Sequence, residues 1–155
     1  MNKIAFEELY MQQLPGLFRL AQGILHQPAD AQDAVQQAVM QAWQQIETIQ
    51  AGKEKAYLAR IVINECHNIQ RLRQRTIPVT SFPERTEPET KIMELRDAVE
   101  RLPEKPRLPF LLVYMEGYSL QEAASVIGIT LFALKSRLKR AKKALQIELR
   151  EEGDS

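Results

Sequence analysis

The most distinctive chemistry in this sequence comes from clustered cations. Between residues 135 and 143, six of nine side chains are Lys or Arg and none is acidic. A second basic cluster contains Arg71, Arg73 and Arg75. Closely spaced cations bind nucleic-acid phosphates, which gives affinity without sequence information. The net charge of only +1 conceals this uneven distribution. Because the two basic clusters are far apart in the sequence, we expect two separate basic surfaces on two bodies.

A stripe of polar residues precedes the second basic cluster. Its members recur at spacings of three and four, which places them on one face of a helix: Arg60, Asn64, His67, Asn68 and Arg71. Asn and His can hydrogen-bond to base edges, and Arg can hold a phosphate or stack on a base. An ordinary solvent-exposed helix face is the alternative interpretation.

Residues suited to catalysis or metal binding are few and scattered. His26 and His67 are the two histidines, and no glycine-rich phosphate loop is present. The single cysteine, Cys66, allows neither an internal disulfide nor a zinc cluster. Cys66 and His67 point to different faces of a helix, so a reactive dyad is not expected. The sequence therefore predicts a protein that is not an enzyme and has no cofactor and no metal site.

Helical periodicity dominates the first half of the chain. Apolar residues recur at spacings of three and four in three successive segments, the last of them residues 56–75. Pro15 predicts a kink or break in the first segment, and Pro28 predicts the start of the second. The apolar pattern also places Trp43 and Tyr57 in the core.

A proline-rich segment, residues 76–90, then interrupts the helical pattern. It contains three prolines and almost no apolar periodicity, which is typical of an extended linker. The predicted fold class is all-α. We expect two small helical domains, residues 1–75 and 91–155, joined by this flexible linker.

The end of the second domain has the pattern of a helix-turn-helix. Ser119 and Glu122 have the spacing of a capping box, and Gly128 suits a left-handed turn. Thr130 is expected to cap a last helix that runs to about Arg150. The second helix of such a motif enters the DNA major groove, and its first residues approach the base edges. An ordinary helical hairpin with a solvated basic face is the alternative.

The two halves together resemble the extracytoplasmic-function (ECF) sigma factors of bacterial RNA polymerase. "PADAQDAVQQAVMQAWQQI" and "KAYLARIVINECHNIQRLRQR" are similar to region 2 of that family. "LPEKPRLPFLLVYMEGYSLQEAASVIGITLFALKSRLKRAKKAL" resembles region 4. The resemblance implies promoter-specific transcription initiation in response to a stress or envelope signal. It also implies three partners: core RNA polymerase, promoter DNA and an anti-sigma factor.

The resemblance also implies residue roles. Region 2 captures the melted −10 element, which assigns DNA binding to Lys53, Lys55, Arg60, Asn64, His67, Asn68 and Arg71. Region 4 reads the −35 duplex, which assigns DNA binding to Thr130, Leu131, Phe132, Lys135, Ser136, Arg137, Lys139 and Arg140. The polymerase clamp is expected to meet Asp30, Asp33, Gln36, Gln37 and Gln41.

Two departures from the family pattern affect these roles. Glutamines replace acidic residues along the second helix, so polymerase docking is expected to be weaker or less dependent on salt. Leu131 and Phe132 replace polar residues at the tip of the last helix. They could contact thymine methyl groups, or form an apolar patch for an anti-sigma factor or a second copy of this chain.

Two other functions remain open at the level of sequence. One is a sigma-like protein that binds polymerase or an anti-sigma factor without reading a promoter. The other is a simple helix-turn-helix regulator, although such a protein has no need of a clamp-binding helix. The N-terminus lacks the apolar stretch of a signal peptide, and no apolar run reaches the length of a membrane span, so we expect a cytoplasmic protein without membrane insertion.

Overall fold

The computed structural model describes the backbone of residues 2–76 and 91–153. Within these ranges all regular secondary structure is helical, with seven α-helices, one short 3-10 helix and one π-helix. The described residues divide into two compact units, one built mainly from residues 2–76 and the other mainly from residues 91–153. The predicted all-α class with two small helical domains is confirmed. From residue 77 onward, the predicted linker lies outside the described residues.

Three long helices form the N-terminal unit. Helix α1 spans Lys3–Leu25, α2 spans Pro28–Gln44 and α3 spans Glu54–Thr76, with the 3-10 helix Ile46–Thr48 before α3. Each of the three long helices packs against the other two. Small side chains allow helices to approach closely, and these helices contain six fully buried alanines: Ala21, Ala31, Ala34, Ala38, Ala42 and Ala59.

Pro15 does not break α1, so of the two predicted alternatives, a kink or a break, the break is wrong. The helix continues through Pro15 to Leu25. An interior proline cannot donate to the carbonyl four residues earlier, here that of Met11. Both Pro15 and Met11 are exposed, so water can satisfy that carbonyl.

The turn between α1 and α2 is tight. His26 ends α1 in the left-handed conformation, at φ 62°, and its N–H donates to the Gln22 carbonyl at 2.8 Å. Pro28 then occupies the first position of α2, as predicted. A proline costs nothing there, because the N–H it lacks has no partner within the helix.

Four α-helices form the C-terminal unit. Helix α4 spans Lys91–Arg101, α5 spans Glu104–Phe110, α6 spans Leu120–Ile127 and α7 spans Leu131–Gly153. Both α4 and α5 pack against α7. Helix α7 ends at Gly153, slightly beyond the predicted end at about Arg150.

A buried arginine stabilises the proline-rich corner between α4 and α5. The Arg107 guanidinium donates to the carbonyls of Leu102 at 3.0 Å and Glu100 at 3.3 Å. These carbonyls lie at the end of α4, where no further helical N–H groups can reach them. Burial lowers the pKa of Arg107, although Glu104 and Glu100 oppose the shift.

The chain widens into a π-helix, Leu111–Met115, directly after α5. The N–H of Glu116 donates to the Leu111 carbonyl at 2.9 Å, and Gly117 follows with φ 76°.

None of the helices in the described parts of the chain is long and apolar enough to cross a membrane.

Candidate nucleic-acid interface

The helix-turn-helix is built from local caps that the sequence predicts. The Ser119 hydroxyl accepts the Glu122 N–H, and the Glu122 carboxylate accepts the Ser119 N–H, both at 3.0 Å. Gly128 is left-handed at φ 84°, and Thr130 Oγ1 accepts the Ala133 N–H at 3.1 Å. These contacts confirm the capping box and both ends of the turn, and they fix where α7 begins.

Helix α7 has an apolar face and an opposite polar face. Leu134, Leu138, Ala141 and Leu145 are buried at spacings of three and four. The opposite side is solvent-exposed, and we call it the outward face of α7: Phe132, Lys135, Ser136, Lys139 and Arg140. The structure therefore brings five of the predicted −35 residues together on one surface.

Leu131, Phe132 and Arg137 differ strongly in exposure. The Phe132 side chain is 84% exposed. Leu131 and Arg137 are half-buried at the borders of the outward face. Phe132 therefore has by far the most freedom of the three to reach a partner from the tip of α7.

One cation in the basic run is held by an aromatic ring. Lys142 Nζ lies 4.7 Å from the centroid of the Tyr114 ring. The Tyr114 ring in turn lies 5.1 Å from that of Phe110. A cation over the face of a tyrosine ring is attracted to it, so Lys142 is less available to a phosphate than its neighbours on the same helix.

Five of the seven predicted −10 residues form one polar stripe along α3. The residues Leu58, Ala59, Val62, Ile63 and Cys66 are buried on the inner side of the helix. On the outer side, Arg60, Asn64 and Arg71 are exposed, and His67 and Asn68 are half-buried. The Arg71 guanidinium donates to the Asn68 side-chain carbonyl. All five side chains therefore share one surface.

The two predicted loop lysines lie where α3 begins. Gly52 is left-handed at φ 85°, and its N–H donates to the Glu54 carboxylate at 2.9 Å. Lys53 follows in this turn and is exposed, whereas Lys55 lies in the first turn of α3 and is half-buried. The tight turn places Lys53 at the same end of α3 as Arg60.

The five predicted polymerase contacts divide into two groups. Asp33, Gln36 and Gln37 are exposed on α2. The Asp30 side chain is only 15% exposed and forms an ion pair with Arg73 of α3. The Gln41 amide donates to the Glu65 carboxylate, also on α3. Thus two of the five residues are engaged in holding α3 against α2.

An apolar groove between α1 and α2 is missing from the sequence predictions. It has a volume of about 370 Å³, and its lining includes Phe6, Tyr10, Met40 and Trp43. We call it the α1–α2 groove. Trp43 is 40% exposed and Met40 is 58% exposed. The prediction that Trp43 is a core residue is therefore wrong.

The Trp43 ring lies at the rim of the bundle. It packs edge to face on the Phe6 ring, with 5.6 Å between the two ring centroids. Lys3 Nζ lies 5.6 Å from the centroid of the Trp43 ring. Tyr57, the other aromatic residue predicted in the core, is half-buried. Its hydroxyl donates to Gln45 Oε1 at 3.0 Å.

Residues of catalytic type do not gather in the described parts of the chain. Within residues 2–76 and 91–153, no three His, Cys, Asp or Glu side chains are placed to hold a metal ion together. The Cys66 thiol is buried. We therefore take the two polar helix faces and the α1–α2 groove as the candidate binding surfaces.

Two protein-family models match this chain, each on one of its halves. Sigma-70 region 2 matches residues 9–76, and Sigma-70, region 4 matches residues 92–145. The RNA polymerase sigma-E factor of Streptomyces coelicolor is 29% identical over 153 residues, covering 94% of this chain and 86% of that protein. The ECF RNA polymerase sigma factor SigM of Mycobacterium tuberculosis is 30% identical over 152 residues, covering 93% and 76%.

Solved structures of similar fold include two protein complexes. The sigma factor RpoE in complex with the anti-sigma factor NepR, from Bartonella quintana, gives a TM-score of 0.79 at 26% identity. That match covers 94% of this chain and 97% of RpoE. CnrH in complex with the cytosolic domain of CnrY gives a TM-score of 0.74 at 23% identity, covering 99% and 92%.

Proposed function

Since this chain belongs to the ECF group of the sigma-70 family and acts in transcription initiation, we propose that its two domains divide the tasks of a promoter-specificity subunit. Residues 1–75 dock on core RNA polymerase and capture the −10 element. Residues 91–155 read the −35 element, and residues 76–90 link the domains. The observation that carries this proposal is that each family match falls on one half of the chain, and each half exposes a polar helix face.

The outward face of α7 is proposed to read duplex DNA. Thr130 and the first turn of α7 approach base edges, as the second helix of a helix-turn-helix does. Lys135, Lys139 and Arg140 contact phosphates and fix the register of the protein on the duplex. Their exposure, on the side of α7 opposite its buried leucines, supports this role.

The stripe on α3 is proposed to bind the melted strand. Asn64 and His67 hydrogen-bond to base edges, while Arg60 and Arg71 hold phosphates or stack on bases. The turn that contains Lys53 cradles a base extruded from the duplex. Support comes from the shared exposed surface and from the Arg71–Asn68 hydrogen bond, which restricts both side chains before DNA arrives.

Helix α2 is proposed to dock on the polymerase through amides and apolar groups. Asp33, Gln36 and Gln37 are exposed, and Met40 continues the same face one turn later. With a single carboxylate among these four side chains, docking depends less on salt than an acid-rich face would. Asp30 contributes indirectly, because its ion pair with Arg73 holds α3 in position.

An anti-sigma factor is proposed as a third partner. The likeness to RpoE, whose structure was solved in complex with the anti-sigma factor NepR, supports this partner class. Because sigma factors are non-catalytic DNA-recognition subunits, we propose no reaction for the chain itself. Its proposed location is the cytoplasm.

Reconstitution with core bacterial RNA polymerase tests this function. The full chain should direct run-off transcription from specific members of a genomic promoter library. Binding to core without any transcript would favour a sigma-like protein that binds polymerase without reading a promoter. Failure to bind core would leave only a simple helix-turn-helix regulator.

A pair of variants at Gln37 provides the matched control for docking. The exposed Gln37 lies on the α2 face proposed to dock on the clamp, and the family resemblance implies that the clamp presents basic residues to this face. Gln37→Lys should weaken both core binding and transcription, whereas Gln37→Glu, of similar size, should retain them. Equal losses in the two variants would contradict the proposed charge preference of this face.

A further inference from the structure

We propose that Phe132 selects a thymine in the −35 duplex through the C5-methyl group of that base. This inference rests on the proposed function and adds a specificity-determining residue to it. Phe132 is the second residue of α7 and is 84% exposed. It therefore lies at the end of the recognition helix that enters the major groove first.

The position of Phe132 is fixed by the residues around it. The left-handed Gly128 ends the preceding helix, and the Thr130 cap bonds to the backbone of Ala133, one residue beyond Phe132. Leu131 is half-buried beside it. The backbone at the tip of α7 is thus held on both sides, and the exposed ring is presented from a rigid element.

The neighbours of Phe132 argue against an apolar docking patch. On a helix, residues three, four and seven positions ahead share a face, and here these are Lys135, Ser136 and Lys139, all exposed. A protein-binding patch needs contiguous apolar surface. The α1–α2 groove has it, with Met40 and Trp43 side by side, but the outward face of α7 has one phenyl ring among cations.

A single apolar ring within a cationic surface fits the chemistry of the major groove. The cations suit the phosphates that border the groove. Thymine is the base that presents a methyl group on the groove floor, and Phe can make apolar contact with it. Cytosine offers an amino group at the neighbouring position and no methyl group. Phe132 should therefore favour thymine over cytosine at one position.

Replacing thymine by deoxyuridine tests the contact, because the substitution removes only the methyl group. The −35 duplex is first selected from a randomised library with the full chain bound to core polymerase. Each thymine is then replaced in turn, and affinities are compared for the wild-type chain and Phe132→Ala. At one position the wild-type chain should bind the deoxyuridine duplex about fourfold more weakly, the equivalent of ~0.8 kcal/mol for one methyl-sized apolar group.

Controls separate methyl recognition from general loss of binding. In Phe132→Ala the thymine-to-uracil ratio should fall to about one. Lys139→Ala should weaken binding to both duplexes by the same factor, because a phosphate contact carries no base information. Circular dichroism should show unchanged helical content for Phe132→Ala, since the side chain is exposed.

The possible results distinguish this inference from the proposed function. A preferred duplex with a wild-type ratio near one at every thymine overturns the inference alone, as does a fourfold ratio that persists in Phe132→Ala. A library that yields no preferred duplex contradicts the proposed function and the inference with it.

Discussion

The ring contact of Lys142 leads to a quantitative prediction about salt dependence. Each phosphate neutralised on duplex DNA contributes about 0.9 to the slope of log affinity against log salt. The exposed Lys135, Lys139 and Arg140 would together contribute a slope of about −2.7 if each meets one phosphate. Removing Lys139 with Lys139→Gln should therefore reduce the steepness of the slope by about 0.9.

Lys142 should behave differently, although it lies on the same helix and carries the same charge. Its ammonium group lies 4.7 Å from the centre of the Tyr114 ring, an attraction of ~0.5–1 kcal/mol at an exposed site. Leaving the ring for a phosphate costs that free energy, which disfavours the phosphate contact by about two- to fivefold. Lys142→Gln should therefore change the slope by less than Lys139→Gln.

Fluorescence anisotropy provides the measurement for both variants. The full chain with core polymerase is titrated onto the selected −35 duplex at several salt concentrations between about 50 and 200 mM. The two variants differ from the wild-type chain by one charge each, so each is the control for the other. Equal slope changes, or a larger change for Lys142→Gln, would refute the reasoning.

Three further predictions concern stability and docking. Thr130→Ala should lower the free energy of unfolding by ~1 kcal/mol in urea, because it removes the cap on the Ala133 N–H. Met40→Gln should weaken core polymerase binding about tenfold at every salt concentration, because apolar burial is not screened by ions. Burial raises the pKa of Tyr118, with smaller contributions from Glu116 and Glu122. The resulting stability is therefore complete below about pH 10 and declines as pH rises above it, and Tyr118→Phe should flatten that decline.

Each of these predictions has a matched comparison. Thr130→Ser keeps the hydroxyl and should retain the stability that Thr130→Ala loses. Met11→Gln alters an exposed methionine of α1, which lies outside the α2 face proposed to dock on the polymerase, so core binding should be unaffected. A loss for Met40→Gln that vanishes at high salt, or identical alkaline unfolding of the wild-type chain and Tyr118→Phe, would contradict the corresponding explanation.

Local features of this fold could be predicted from sequence because their causes lie within a few residues. The Ser119–Glu122 capping box and the Thr130 cap each join residues three positions apart, and the Gly128 turn depends on the backbone freedom of that residue alone. The buried leucine stripe of α7 follows from the helical period alone. The two polar faces proposed to bind DNA follow from the same period.

Features that depend on how helices meet could not be predicted. Trp43 follows Ala42, one of the buried alanines of the bundle, and one residue corresponds to about 100° around a helix. The alanines fill the inner side of α2, which leaves the indole at the rim. The ion pair between Asp30 and Arg73 depends on the register of α2 against α3, which periodicity does not give.

The location of promoter melting tests the central claim most directly. Permanganate reacts with unstacked thymines, so its reactivity on a selected promoter reports whether the −10 region has opened. The holoenzyme formed with the wild-type chain should make thymines of the −10 element reactive, and Asn64→Ala should reduce that reactivity while −35 duplex affinity remains unchanged. A wild-type holoenzyme that binds the promoter without any reactive thymine, or an Asn64→Ala variant that opens it equally well, would contradict the account.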